Sequence, residues 1–376
     1  MDSPAFPLFS SPPPSVSPQA SGVTIRRVPP SPSSSPRNIL EEIVWHKAEE
    51  LSSLRERESD AGALARALAA RARYPPRDFV GALRSMSLRS PSGVGLIAEV
   101  KRASPSRGII CRDWDPARIA REYEAGGAAC LSVLTDERYF KGATGNLSLV
   151  REAGVACPLL AKEFVVSARQ LCEARAAGAD AALLIAAVLE DDEIEQLLRV
   201  CAAVGLHALV ETHTVAELDR VAGCLKRLER ETGERAVAQA IARSSAAQTD
   251  PDLFAAALAR DAAARDDPAA AAAAPADTSC SPLSPSSPSR VLVGVNNRSL
   301  ETFKVDLDTT RAVLASESGR WIRDRGHLAV CESGIFTPQD VRRAVQAKSS
   351  VILVGESLVK QGNRTKGVQD LVGTTD

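Results

Sequence analysis

The 376-residue chain is 44% apolar, 25% charged and only 4% aromatic, which is material for one large domain or two ordinary ones with a sizeable buried core. Its 46 lysines and arginines against 47 acids leave a net charge of -1, so the overall balance speaks against a nucleic-acid-binding surface. The longest apolar run, Ala181 to Leu189, is about half the length a helix needs to cross a bilayer, which excludes a helical membrane span. The eight cysteines never form CxxC and the four histidines form no HExxH or HxxxH set, so neither a zinc site nor a disulfide framework is expected. Such scattered cysteines read as reduced, partly core-filling thiols in a reducing compartment.

Residues 1–37 are dominated by serine and proline, carry three arginines against one aspartate and show no apolar periodicity. This leader is not expected to pack. Its composition fits an organelle transit peptide or an ordinary disordered tail, and it lacks the continuous apolar segment of a secretory signal. Asn38 to Glu58 then reads as a helix with Ile39, Leu40, Ile43, Val44, Lys47 and Leu51 near one face.

From there β-like runs alternate with amphipathic helical runs. The expected strands are Gly95 to Val100, Ala128 to Leu134, Pro158 to Phe164, Asp180 to Ala186, Leu206 to Glu211, Val291 to Asn296, His327 to Glu332 and Ser350 to Val354. Helices preceding strands should stop at Gly126, Gly178 and Gly205, where a left-handed residue ends a helix cheaply. Helix starts are marked by capping boxes at Ser167/Gln170 and Thr214/Glu217, and by the cap-proline pairs Asp115-Pro116 and Thr337-Pro338. Eight β-α units in a core of about 250 residues fit an α/β fold of the (β/α)8 TIM-barrel type, with an additional N-terminal helix, better than a doubly wound sheet.

A second low-complexity stretch, about 224–289, passes from charged helical sequence into the alanines 269–274 and the Ser/Pro run 281–289, with a short helix expected from Asp250 to Ala264. It reads as an insertion between the fifth helix and the sixth strand. Such connections lie at the bottom of the barrel, away from the chemistry at the C-terminal face, so deleting about 230–288 should leave activity largely intact.

Period-two alternation puts Ile97, Glu99 and Lys101 on one face of the first strand and Leu96, Ala98 and Val100 on the other. An isolated Glu-x-Lys is more often a structural ion pair than a site. The pattern recurs, however, with Lys162 ending the third strand, Glu211 the fifth, and Asn296, Asn297 and Arg298 the sixth. Convergence at one mouth suggests lysine acids, a carboxylate base and anion-binding groups. Glycines after the last two strands, in Glu332-Ser333-Gly334 and Gly355-Glu356-Ser357, suit backbone amides holding a phosphate. Glu356 would repel that phosphate unless its side chain turns away.

Seven segments carry a resemblance: Ile97 to Ser106, Leu134 to Gly142, Ala161 to Phe164, Glu173 to Asp180, Gly294 to Leu300, Glu332 to Ile335 and Gly355 to Leu358. In these the chain resembles the indole-3-glycerol-phosphate synthase family of tryptophan biosynthesis, from Asn38 to about Gly362 apart from the insertion. The helix from Asn38 is similar to that of plant and algal members, which operate in plastids; this shifts the leader toward a plastid transit peptide, with a cytoplasmic location as the alternative.

The resemblance implies conversion of 1-(2-carboxyphenylamino)-1-deoxyribulose 5-phosphate into indole-3-glycerol phosphate, carbon dioxide and water, without metal or organic cofactor. Lys162 would protonate the ketone oxygen. Lys101 would hold the substrate carboxylate or share the acid role, Glu211 would act as base or stabilise an iminium, and Glu99 would orient the lysines. Asn296 would bind near the substrate hydroxyl or nitrogen, and Ser104 near the carboxylate. Arg298, Ser333, Gly334, Gly355 and Glu356 would surround the phosphate, with Glu332 among the substrate-binding positions. Two neighbouring lysines should favour a lowered pKa, tempered by the glutamates.

Three features depart from the family pattern: Glu163 stands where aspartate is common, with parity turning it from the mouth; Phe140 to Asn146 is a variant loop; and the long insertion is atypical. The partner implied is a small phosphorylated substrate, with neither nucleic acid nor membrane, and with room for association with other tryptophan-pathway enzymes. Two other readings stay open. One is a phosphosugar barrel of the phosphoribosylanthranilate isomerase type; the other is a silent phosphate-binding scaffold with the insertion as partner surface.

Overall fold

The computed structural model describes residues 34–249, 290–299 and 302–373. Eight parallel strands form its centre: β1 (Gly95–Val100), β2 (Cys130–Leu134), β3 (Leu159–Lys162), β4 (Ala181–Ile185), β5 (His207–Thr212), β6 (Val291–Asn296), β7 (Leu328–Glu332) and β8 (Val351–Val354). They close in the order β1-β8-β7-β6-β5-β4-β3-β2, every neighbouring pair parallel, so the fold is a (β/α)8 barrel.

Alternation divides each strand between two cores. Leu96, Ala98, Val100, Val133, Leu184, Val210, Val293 and Ile352 point outward to the helices. Ile97, Cys130, Leu160, Leu183, Leu209, Leu292, Val330 and Leu353 fill the barrel. The interior is thereby packed below, with His207 against Phe79 at the N-terminal end, and the charged side chains gather at the C-terminal strand ends. The third strand stops at Lys162, two residues short of the expected Phe164, because Glu163 and Phe164 leave the ladder to make contacts at the mouth; strand parity therefore does not turn Glu163 from the mouth as expected, and it lines the cavity there.

Three helices precede the barrel: α1 (Ile39–Arg57), α2 (Asp60–Arg73) and α3 (Phe79–Arg89). Phe79, Val80 and Leu83 of α3 join the interior core. The Leu83 carbonyl lies so near Gly95 that α3 must cover the start of β1, at the N-terminal end of the barrel. The Asp78 and Ser59 side chains cap α3 and α2, as Asn38 caps α1. Buried Arg169 clamps the α1–α2 junction to the barrel, donating to the Glu58 carbonyl at 2.7 Å and pairing with Asp60 at 3.2 Å.

Around the barrel run α4 (Pro116–Ala125), α5 (Gly145–Glu152), α6 (Ala168–Ala176), α7 (Asp191–Val204), α8 (Val215–Thr249), α9 (Asp308–Ala315), α10 (Glu317–Asp324), α11 (Pro338–Gln346), α12 (Glu356–Val359) and α13 (Arg364–Val372). Asp115 and Thr337 cap α4 and α11 ahead of their N1 prolines, and Ser167/Gln170 form a reciprocal box on α6.

Two local expectations are corrected. Gly126 is right-handed and the left-handed residue is Gly127 (φ 93°), because α4 runs one residue further before turning. At α8, Thr214 accepts from the Glu217 amide, but the Glu217 carboxylate reaches the His213 amide, one residue earlier than a capping box requires. Helix α8 continues into the stretch read as an insertion. The helix expected at Asp250 to Ala264, the Ala and Ser/Pro runs, and nearly all of the leader lie outside the described residues. Among the described residues seven cysteines are free and buried, and no helix is long and apolar enough to cross a membrane.

Candidate active site

The interior positions nearest the C-terminal strand ends bring Glu99 from β1, Lys162 from β3, Glu211 from β5, Asn296 from β6 and Glu332 from β7 together above the packed barrel. Twelve residues singled out from sequence line one cavity at this mouth: Glu99, Lys101, Ser104, Lys162, Glu211, Asn296, Arg298, Glu332, Ser333, Gly334, Gly355 and Glu356; Asn297 does not, its side chain donating to the Glu332 and Ser333 carbonyls and accepting from the Thr310 amide.

At its floor the Lys162 ammonium sits 3.0 Å from Glu211 Oε2 and 2.6 Å from Glu332 Oε2. Asn296 Nδ2 donates to Glu211 Oε1 at 3.1 Å, while the Asn296 Oδ1 accepts from the Arg298 amide at 3.0 Å. Lys101 pairs separately with Glu99. This arrangement requires glycine at two neighbours: a Cβ at Gly294 would collide with the Glu332 carboxylate, and one at Gly355 with that of Glu99.

Charge decides the protonation states. Burial opposes the Lys162 ammonium, but Glu211, Glu332 and Glu99 outweigh it and hold the lysine well above its ordinary range. The lowered pKa expected from crowding is therefore reversed at Lys162, where Glu211 and Glu332 contact the ammonium directly. Burial pushes Glu332 up to about 7, with the Glu211 carboxylate adding to that push and Lys162 opposing it. Glu211 moves the other way: burial would raise it, but Lys162, His213 and the Asn296 amide hold it below the usual carboxylate range. The site thus combines a secured cation, a secured anion and a second carboxyl held above its ordinary range.

The cavity has two unlike sides. Leu134, Phe164 and Ile185 at the ends of β2 to β4, with Leu40 and Ile43 of α1 and Phe140 of the loop after β2, form an apolar wall; Phe140 and Phe164 lie 5.9 Å apart, centroid to centroid. Across the barrel, β6 to β8 contribute Arg298, Ser333, Gly334 and Gly355. Ser333 and Gly334 both have positive φ (63° and 85°), which turns the chain sharply after β7. The Glu356 side chain is drawn to Lys360 at 2.6 Å and Arg107 at 3.7 Å.

Three features were not foreseen. His213 lies 3.5 Å from Glu211 and 3.4 Å from Glu217; it shares the parity of Glu211, so the alternation carried the signal. Glu332 touches Lys162 rather than standing only with the Ser333-Gly334 turn, which its interior parity also signalled. Lys47 of α1 is 2% exposed and reaches Asp136 and Glu163, for which a lysine on an apolar helix face was the sole hint. Among the described residues no group of three or more His, Cys, Asp or Glu is placed to hold a metal ion.

With this geometry in hand, comparison with known proteins is specific. The family model of indole-3-glycerol phosphate synthase matches residues 40–226 and 289–371. The chloroplastic indole-3-glycerol phosphate synthase of Arabidopsis thaliana is 43% identical over 369 residues, covering 94% of this chain and 75% of that one. The indole-3-glycerol phosphate synthase of Microcystis aeruginosa is 40% identical over 340 residues, covering 90% of each chain. That of Crocosphaera subtropica is 37% identical over 342 residues, covering 91% and 92%.

Proposed function

The chain belongs to the indole-3-glycerol phosphate synthase family, and we propose that ring closure, decarboxylation and dehydration run on the charged cluster at its barrel mouth. Its reaction in tryptophan biosynthesis takes 1-(2-carboxyphenylamino)-1-deoxyribulose 5-phosphate to indole-3-glycerol phosphate, carbon dioxide and water. As a carbon-carbon bond is cleaved without hydrolysis or oxidation, the activity is that of a carboxy-lyase.

The substrate's phosphate takes the polar side, on Arg298 and the backbone of Ser333, Gly334 and Gly355; its aryl ring takes the apolar wall. Lys101, steadied by Glu99, faces the ring carboxylate together with Ser104. The ring carbon bearing that carboxylate attacks the ketone carbon, and Lys162 gives its proton to the ketone oxygen as the bond forms. The positive charge left on the iminium is stabilised by Glu211. Loss of carbon dioxide returns the electron pair to the ring. The hydroxyl made from the ketone then leaves as water, protonated by a lysine, while the neighbouring proton passes to Glu211. Glu332, in contact with the same ammonium, is the group through which Lys162 recovers its proton.

The observation that carries this reading is the Lys162 ammonium between Glu211 and Glu332 at 3.0 and 2.6 Å, a donor kept charged next to a base kept ionised. Adding the carboxyphenylamino substrate and following indole fluorescence tests it. Folded Glu211→Gln should lose about 100-fold or more in kcat, and near-native turnover by that variant would overturn the role.

The leader, residues 1–37, is read as a plastid transit peptide on its composition and on the 43% identity to a relative named as chloroplastic. Residues 227–288 fall between the two stretches matched by the family model, which supports the insertion reading.

A further inference from the structure

We propose that Lys47, outside the reacting cluster, is a positioning residue that assembles the apolar wall for the substrate's aryl end. The inference rests on the functional reading above. Lys47 is on α1, yet its ammonium pairs with Asp136 at 2.8 Å and Glu163 at 3.1 Å, carboxylates from the loops after β2 and β3. Glu50, one turn along α1, lies 2.8 Å away on a more exposed flank.

Each loop carboxylate also sets an aromatic of the wall. Asp136 Oδ1 accepts from the amides of Tyr139 (2.7 Å) and Phe140 (3.1 Å), folding the turn that aims Phe140 inward. Glu163 accepts from the Phe164 amide (2.8 Å) and from the Thr135 hydroxyl (2.8 Å), fixing the residue that carries the second ring and tying it to the first loop. One buried cation thus joins the helix bearing Leu40 and Ile43 to both loops bearing the facing phenylalanines. Burial opposes its charge, but Glu163 and Asp136 outweigh burial and keep it protonated.

Around this point α1 meets the loop after β2 through lighter contacts, Tyr139 Oη to Glu42 at 3.2 Å and Arg138 to His46 at 3.0 Å. Those sit at the periphery, whereas Asp136 is fully buried. An ion pair of this kind contributes little net stability but imposes one geometry on its partners. The geometry imposed here is a cavity wall.

Lys47→Met keeps the length of the side chain and removes its charge. Steady-state kinetics with the carboxyphenylamino substrate, and competition by sn-glycerol 3-phosphate as a probe of the phosphate side alone, separate a wall defect from general damage. A rise in KM of about tenfold or more, with kcat changed less than about threefold and glycerol-phosphate inhibition within about twofold, is expected. An unchanged KM, a fall in kcat at constant KM, or inhibition weakening in step with KM would overturn the proposal. Lys47→Met/Glu163→Gln removes one buried carboxylate with the cation and is read by the same criteria should the single variant not fold. Absence of wild-type turnover would sink the functional reading, whereas wild-type turnover with no such split sinks this inference alone.

Discussion

Lys162→Met takes the shared ammonium away from two buried carboxylates while filling nearly the same space. In the intact protein burial and the Glu211 carboxylate already push Glu332 above its ordinary range, a cost that appears as pH rises. Without the ammonium that push grows, and Glu211, now held low by Lys162, rises with it. Removing one partner of a buried pair costs about 3–5 kcal/mol, or roughly 6–15 °C in Tm for a domain of this size. The sign with pH follows from the raised carboxyls: below their unfolded pKa they are protonated in both states and cost little, and stability is lost as pH rises through their folded values. The Tm gap between wild type and variant should therefore be small at pH 5 and largest at pH 8, measured by thermal unfolding across that range. Turnover should fall by about 100-fold or more throughout. A gap that does not change with pH, or a variant as stable as wild type at pH 8, would refute the electrostatic account of the floor.

His213→Gln probes the other side of Glu211. Burial lowers the imidazole pKa but Glu217 and Glu211 outweigh it and raise it above 6.5, so its contribution is present below that value and lost as pH rises through the folded pKa; the variant should be less stable than wild type at pH 6 and nearly equal at pH 9 by thermal unfolding. Deleting about 230–288 and rejoining α8 to β6 should leave kcat/KM within about threefold, because β6 starts at Val291, at the end of the barrel opposite the mouth; a deletion protein that folds yet turns over no substrate would contradict the insertion reading.

Much of the architecture was legible because one rule generates it. Alternation along β1 assigns Leu96, Ala98 and Val100 to the helices and Ile97 and Glu99 to the interior, and the same parity carries Lys162, Glu211, Asn296 and Glu332 to one mouth. Helix starts at Asp115, Ser167 and Thr337 were readable because caps are local chemistry. What escaped was coupling between distant segments. No spacing rule links Lys47 to Asp136 and Glu163, and none shows that Glu332 joins Glu211 on the Lys162 ammonium, which is what raises the lysine. The left-handed residue fell on Gly127 instead of Gly126 because a Gly-Gly pair leaves the stopping point to tertiary packing, here against Thr365 and Val368 at Gly126.

A crystal structure with indole-3-glycerol phosphate bound puts the whole site to one test. The account requires the indole ring against Leu40, Phe140 and Phe164, Lys162 within hydrogen-bonding reach of the atoms that reacted, and the phosphate on Arg298 and the Ser333-Gly334 and Gly355 backbone. A ligand seated away from Lys162 and Glu211, or with its ring on the β6–β8 side, would contradict it.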